Sequence, residues 1–268
     1  MYAQPPRVLQ RIIIWIPSLK KIIKGPSNNF DMCVAILSSR YEKIFEGLYD
    51  FKCQRYVRQI IDTSGSWEEI IQLFNKRKRQ YTNNLPSKYN LWYRISHDLK
   101  DFDFFYYQMH IPHIKKKYRD LSDIDSYEDM KTYFLKGFVL FVTKGDQPVA
   151  GALCLIQDRT LIYRRSGFLA EDEHQFKDNI QTILYYFVLL LAKNKNLAKV
   201  DTMKSSSFLN DGVYRHKREW GAAVYQDDES DSWVYFFPQK HSTKVVDFFK
   251  HNPLIIFTDS GLCGLLGW

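Results

Sequence analysis

Between Ser205 and Gly221 the chain gathers hydroxyls, an amide, a carboxylate, a phenol and several cations into one short stretch, Ser205-Ser206-Ser207-Phe208-Leu209-Asn210-Asp211-Gly212-Val213-Tyr214-Arg215-His216-Lys217-Arg218-Glu219-Trp220-Gly221. A strand-like run, Leu197 to Met203, precedes it. The pattern predicts a polar loop, a turn or two of helix and a glycine stop at the carboxyl edge of a strand. A fixed cation at such an edge suits a reaction in which negative charge develops on an oxygen. Lys217 is the candidate cation. Tyr214 lies three residues earlier and shares its helix face. Arg215 adjoins them as a candidate substrate contact. His216 points elsewhere and reads as a solvent-exposed histidine rather than a base. Asn210, Asp211 and Gly212 read first as loop and helix cap, with Asp211 the N-cap. Ser205, Ser206 and Ser207 either bind phosphate or satisfy the loop backbone.

Elements on both sides must hold this stretch in place. Trp67 to Phe74 has helical periodicity behind the caps of Asp62 to Ser66. Tyr56 to Ile61 and Leu91 to Ile95 read as strands, and Asp98 opens a helix. From Tyr127 the order becomes regular. A helix over 127–135 is followed by strands over 138–143, 149–157 and 160–167, with a tight turn at Lys144-Gly145-Asp146-Gln147. A long helix spans His174 to Asn194, with Ile180, Leu184, Phe187 and Leu191 as one apolar stripe. Strands over 197–203, 222–226 and 233–237 complete the pattern. Ahead of these lie β-branched runs at Ile12–Ile16 and Met32–Leu37, read as short strands, and a turn at 25–29. Lys20, Lys21 and Lys24 beside Ile22 and Ile23 fit a solvated edge or an interfacial amphipathic piece.

The chain has 268 residues and a net charge of +8. That length allows one large domain or two small ones. That charge favours anionic partners: nucleic acid, phosphorylated ligands or a membrane surface. The runs Lys76–Arg79 and Lys115–Lys117 read first as solvated faces. In a binding role they would attract phosphate with strong salt dependence, and Tyr81, Tyr89, Trp92 and Tyr93 could stack bases. Cys33, Cys53, Cys154 and Cys263 form no CxxC pair. They read as reduced, buried thiols, with neither a disulfide framework nor a metal site. Prolines 5 and 6 interrupt the amino terminus, and no segment has the form of a secretory signal. The longest apolar run, Ile183 to Ala192, is about half a membrane span. These features predict a cytoplasmic protein.

The block S-x-F-L-N-D-G-V-x-R-x-K-x-x-W-G, from Ser205 onward, resembles the last conserved block of the Fem-type acyltransferases, a branch of the GNAT-like fold. The capped helix that runs into Lys76–Arg79, and the segment Met109–Tyr118, are similar to that family's basic cluster and interdomain helix. The resemblance spans about Tyr56 to the carboxyl terminus and is strongest from Lys136 to Gly221. It implies an α+β fold, a GNAT-like mixed sheet flanked by helices. The carboxyl-terminal half (127–268) would be complete. The amino-terminal half (1–100) would be reduced or degenerate, with 101–126 as the link.

The resemblance also implies a gap between two parallel strands, Thr160–Gly167 and Leu197–Met203, that takes the acyl donor, with Lys217 beside the reacting group. Arg164 and Arg165 fall on the first strand and are candidates for donor phosphate. They are expected on opposite faces, so that at most one reaches the gap. Arg164 to Ala170 is only a loose echo of the GNAT pyrophosphate loop, which Fem-type enzymes also lack. The implied activity moves an acyl or aminoacyl group from acyl-CoA or aminoacyl-tRNA, as co-substrate, to an amine. No tightly bound cofactor or metal is implied. The alternative is a non-catalytic GNAT-like protein that binds a partner, RNA or an anionic membrane surface through its basic face.

Overall fold

A computed structural model describes residues 16–25, 30–82, 89–118, 125–169, 180–240, 242–258 and 261–265. The helices are α1 Ile16–Lys24, α2 Glu42–Phe45, α3 Trp67–Leu73, α4 Lys76–Thr82, α5 Leu99–Phe104, α6 Ile111–Tyr118, α7 Tyr127–Phe134, α8 Ile180–Asn194, α9 Gly212–Glu219 and α10 Thr243–His251. The strands are β1 Met32–Ser38, β2 Phe51–Gln54, β3 Tyr56–Asp62, β4 Leu91–Ser96, β5 Phe138–Lys144, β6 Gln147–Gln157, β7 Thr160–Phe168, β8 Lys199–Ser206, β9 Ala223–Gln226, β10 Ser232–Pro238, β11 Leu254–Thr258 and β12 Gly261–Leu265. The chain forms two compact units: residues 58–203 with 216–224, and residues 1–57 with 204–215 and 225–268.

The first unit is built on a seven-stranded sheet of order β4-β5-β6-β7-β8-β3-β9. β4 to β7 are antiparallel neighbours, whereas β7 and β8 are parallel. β5 sorts its side chains by the period of two that a strand imposes. Phe138, Leu140 and Val142 enter one core; Val139 and Phe141 enter another. The first core is closed by α8, where Ile180, Leu184, Phe187 and Leu191 are all buried, as their spacing predicts. The second is closed by α5 and α7 through Phe102, Met130 and Phe134.

Between α5 and α6 the backbone widens into a π-helical segment, Phe105–His110. Two glycines make room for it. Gly151 and Gly167 face each other across β6 and β7. A Cβ on Gly167 would stand 2.7 Å from the His110 amide nitrogen, and one on Gly151 would stand 2.6 Å from the Phe105 ring.

α3 begins on a capping box. The Glu69 amide donates to Ser66 Oγ (3.2 Å), and the Ser66 amide donates to Glu69 Oε2 (2.7 Å). The run Lys76–Arg79 forms a helix, α4, and is not wholly a solvated face: Lys78 is buried. Tyr81, Tyr89 and Tyr93 pack against the first core, which leaves Trp92 exposed. Lys115 and Lys116 are exposed on α6.

The second unit has a three-stranded sheet of order β1-β10-β2. β10 again serves two cores. Tyr235 and Phe237 pack with Leu19, Ile23 and Phe45, while Val234 and Phe236 pack with Cys53, Val245 and Phe249. The lysines of segment 20–24 therefore ride on a helix, α1, anchored by Leu19 and Ile23, with Lys21 and Lys24 exposed. Ile16 opens that helix; the rest of the run expected as a strand, 12–15, lies outside the described residues, as does most of the turn at 25–29. Cys53 and Cys154 are buried, but Cys263 is exposed on β12, contrary to the sequence reading. Among the described residues no helix is long and apolar enough to cross a membrane.

Candidate functional site

β7 and β8 pair over only three registers, Thr160↔Lys199, Leu161↔Val200 and Ile162↔Asp201. Both strands run on past that point. Past Ile162 and Asp201 no ladder pair joins them. A buried polar chain marks the parting. Asp201 is 3% exposed and accepts from Arg58 Nε at 2.6 Å, with Arg58 Nη2 at 2.5 Å. Its other oxygen accepts from the Met203 amide at 2.8 Å. Met203 is held at φ +65°, a left-handed conformation rare for a residue with a side chain. The Met203 carbonyl then accepts from Lys217 Nζ at 3.0 Å. Sequence reasoning found Lys217 but missed Arg58, Asp201 and the turned Met203. The one available signal was an aspartate inside an otherwise strand-like run.

Lys217 is 4% exposed. It is not a surface lysine, because α9 turns it inward and leaves Val213, Arg215 and Arg218 outside. Tyr214, on the same helix face, is also buried. Asp211 caps the helix as expected: its Oδ1 accepts from the Tyr214 amide at 2.7 Å, and its carbonyl accepts from the Arg215 amide at 2.9 Å.

The far end of α9 is gripped by α3, α4 and α8. Lys78 Nζ donates to Thr182 Oγ1 (2.9 Å), stands 3.4 Å from Glu219 Oε2 and lies 5.3 Å from the Trp220 ring centre. Burial pushes the Lys78 pKa down, and the Glu219 carboxylate pushes it back up. The Asn75 amide donates to the Glu219 carbonyl at 2.9 Å. The Trp220 ring stacks on Tyr185 at 5.5 Å and meets the edge of Phe74 at 4.9 Å. Gly221, at φ +78°, lies so close to α3 that a Cβ would stand 2.5 Å from Leu73 Cβ. Thus Lys217 sits on a helix fixed at both ends. His216 is half-buried, with its ring edge-on to Tyr185 at 4.9 Å; the exposed histidine of the sequence reading is corrected.

The other sequence-predicted contacts divide. Arg164 is the extra residue of a β-bulge, because Leu153 faces Arg165 while Cys154 faces Tyr163. A bulge breaks the alternation of faces. Arg164 Nη2 donates to Tyr133 Oη (3.0 Å), with the guanidinium 4.2 Å from that ring's centre. Arg165 pairs with Asp125. Both arginines therefore reach the segment 125–134, instead of pointing to opposite faces of the strand. Ser207 is fully buried, and its carbonyl accepts from the Ile255 amide at 2.9 Å. Asn210 Nδ2 donates to the His251 carbonyl at 2.7 Å. Ser205 is buried, Ser206 half-buried and Arg215 exposed. Among the described residues no cluster of ligating side chains could hold a metal ion.

The strain at Met203 is testable. A left-handed residue with a Cβ costs about 1–2 kcal/mol relative to its relaxed state, and more when β-branched. Met203→Gly should therefore melt within a few degrees of the parent. Met203→Val should fall below Met203→Gly by about 1–2 kcal/mol in thermal unfolding. Equal melting of the two variants would contradict the strain.

Structure comparison decides the fold. FemX superposes with a TM-score of 0.50 at 12% sequence identity, covering 83% of this chain and 75% of that one. The fold is that of FemX, a mixed sheet flanked by helices. L-PGS from Bacillus licheniformis is similar at a TM-score of 0.47 and 7% identity, over 80% of this chain and 70% of that one. A GCN5-related N-acetyltransferase from Kribbella flavida matches at a TM-score of 0.32 and 10% identity, over 80% and 70%. No family model and no curated protein matches the sequence. The mixed sheet with helices on both faces is the architecture that the block around Lys217 implied.

Proposed function

We propose that this protein is an acyltransferase that moves an acyl or aminoacyl group from a phosphate-bearing donor, acyl-CoA or aminoacyl-tRNA, to an amine. The observation that carries the reading is the buried Lys217 ammonium on the Met203 carbonyl, where β7 and β8 part. In the proposed step a C–N bond forms as the donor's C–O or C–S bond breaks. The amine gives up one proton, and the leaving oxygen or sulfur gains one. Between these events the carbonyl oxygen carries negative charge, and the Lys217 ammonium stabilises it. Arg58 and Asp201 act as positioning residues, because they hold the Met203 carbonyl that seats the ammonium. Tyr214 shares the Lys217 face of α9 as a second candidate. Ser205, Ser206 and Arg215 remain candidates for donor phosphate. Arg164 and Arg165 join them if the donor's phosphates displace Tyr133 and Asp125. Ser207 and Asn210 support the reading least, because their loop is tied to 251–255.

The net charge of +8 attracts any polyanion. A diffuse attraction is screened over about 8 Å at physiological salt, whereas a built site is screened less. The test titrates the protein with CoA and with bulk tRNA, at low and at physiological salt. Binding of either ligand that persists at physiological salt supports the acyltransferase. If CoA does not bind and tRNA binds only at low salt, the chain is the non-catalytic alternative, a binding protein that uses its basic face.

A further inference from the structure

One buried carboxylate in the second unit is poorly matched by its surroundings. Asp227, just past β9, is 1% exposed. Its backbone is clamped by Gln54: the Asp227 amide donates to Gln54 Oε1 at 3.0 Å, and Gln54 Nε2 donates to the Asp227 carbonyl at 3.4 Å. The Ser230 amide also reaches that carbonyl, at 3.4 Å. The main chain is therefore satisfied and fixed. The side chain is less so: Oδ1 accepts no hydrogen bond among the described residues. Among the described residues its charged partner is the Lys204 ammonium, which reaches Oδ2 at 2.9 Å. A carboxylate oxygen pair can accept about four hydrogen bonds. A buried carboxylate with one oxygen unmatched keeps capacity for a further donor.

Lys204 is a movable partner. Its side chain is 28% exposed, and it also stands 3.6 Å from Glu229 Oε2, on a carboxylate that is itself exposed. Glu229 offers the ammonium a second counter-charge. A move to it would leave Asp227 open to another ammonium.

We propose that Asp227 is a subsite for a primary ammonium group, with Lys204 as its resting occupant and Glu229 as the place to which Lys204 withdraws. Its ligand class, an amine, rests on the acyltransferase reading. The geometry of the subsite does not. Asp227 orients the incoming ammonium, and the exchange of one ammonium for another keeps the buried charge paired throughout.

The experiment is chemical rescue in the full chain. Lys204→Ala should melt below the parent. Millimolar n-butylammonium chloride should restore much of the loss, and choline chloride at the same ionic strength should not, because choline has no N–H to donate. Butylammonium should bind Lys204→Ala at least tenfold more tightly than it binds the parent. Adding Asp227→Asn to Lys204→Ala should abolish the rescue. If Lys204→Ala cannot be purified, it is refolded from urea with and without butylammonium, and folding in the amine alone supports the subsite. Rescue that is absent, equal with choline or unaffected by Asp227→Asn overturns it. Failure here is separable from failure of the acyltransferase reading, since no donor is present. Butylammonium binding without CoA or tRNA binding keeps the subsite and removes the enzyme; the reverse does the opposite.

Discussion

Leu184→Asp should abolish soluble expression. Leu184 is fully buried, in the centre of the α8 stripe that closes the core of the larger unit. Removing a leucine of this kind costs about 2–5 kcal/mol through lost burial and the cavity left behind. The introduced carboxylate adds several kcal/mol more, because nothing in that apolar cluster can pair with it. A protein of this size has roughly 5–15 kcal/mol of stability in all. The two terms together consume most or all of it. Soluble and insoluble fractions after expression, with circular dichroism of any soluble material, decide the matter. A folded Leu184→Asp protein with the parent's cooperative melt would refute the placement of α8.

Gly221→Ala should be the most damaging single methyl near the site. Two penalties coincide at that position. At φ +78° a Cβ costs about 1–2 kcal/mol. The new carbon would also meet Leu73 Cβ at 2.5 Å and the Leu73 carbonyl oxygen at 2.8 Å. The second of these is backbone and cannot rotate away. Overpacking of this kind costs about 1–3 kcal/mol more. The expected loss is about 2–5 kcal/mol, or roughly 5–15 °C in melting temperature for a chain of this length. A variant that melts within about 2 °C of the parent would show that α3 does not press on the end of α9.

Much of this fold was legible because local signals agreed with the packing. The Ser66 capping box, the Asp211 cap, the apolar run of β5 and the α8 stripe each declare themselves in consecutive residues. The block around Lys217 was legible as a pattern, whereas the bond from its ammonium to the Met203 carbonyl was not. Other features depend on partners far away in the chain. Lys78 lies in a run of cations that looks solvated, and only Thr182, Glu219 and Trp220 explain its burial. The bulge at Arg164 is a matter of register between two strands, and register leaves no mark on a single strand. The left-handed Met203 is held by the Asp201 carboxylate, which in turn is held by Arg58 on another strand. The π segment, Phe105–His110, needs Gly151 and Gly167 to come opposite each other, and the sequence separates them from it widely.

The most direct test of the central claim is donor discharge by an amine. Aminoacylated bulk tRNA and acetyl-CoA are each incubated with 1,5-diaminopentane and either the parent or Lys217→Met, after both proteins have been shown to melt cooperatively. Loss of a preorganised charge that stabilises the oxyanion costs about 10²–10³ in rate. The account predicts protein-dependent discharge of one donor by the parent, reduced by about that factor in Lys217→Met. Equal discharge by the two folded proteins would contradict it.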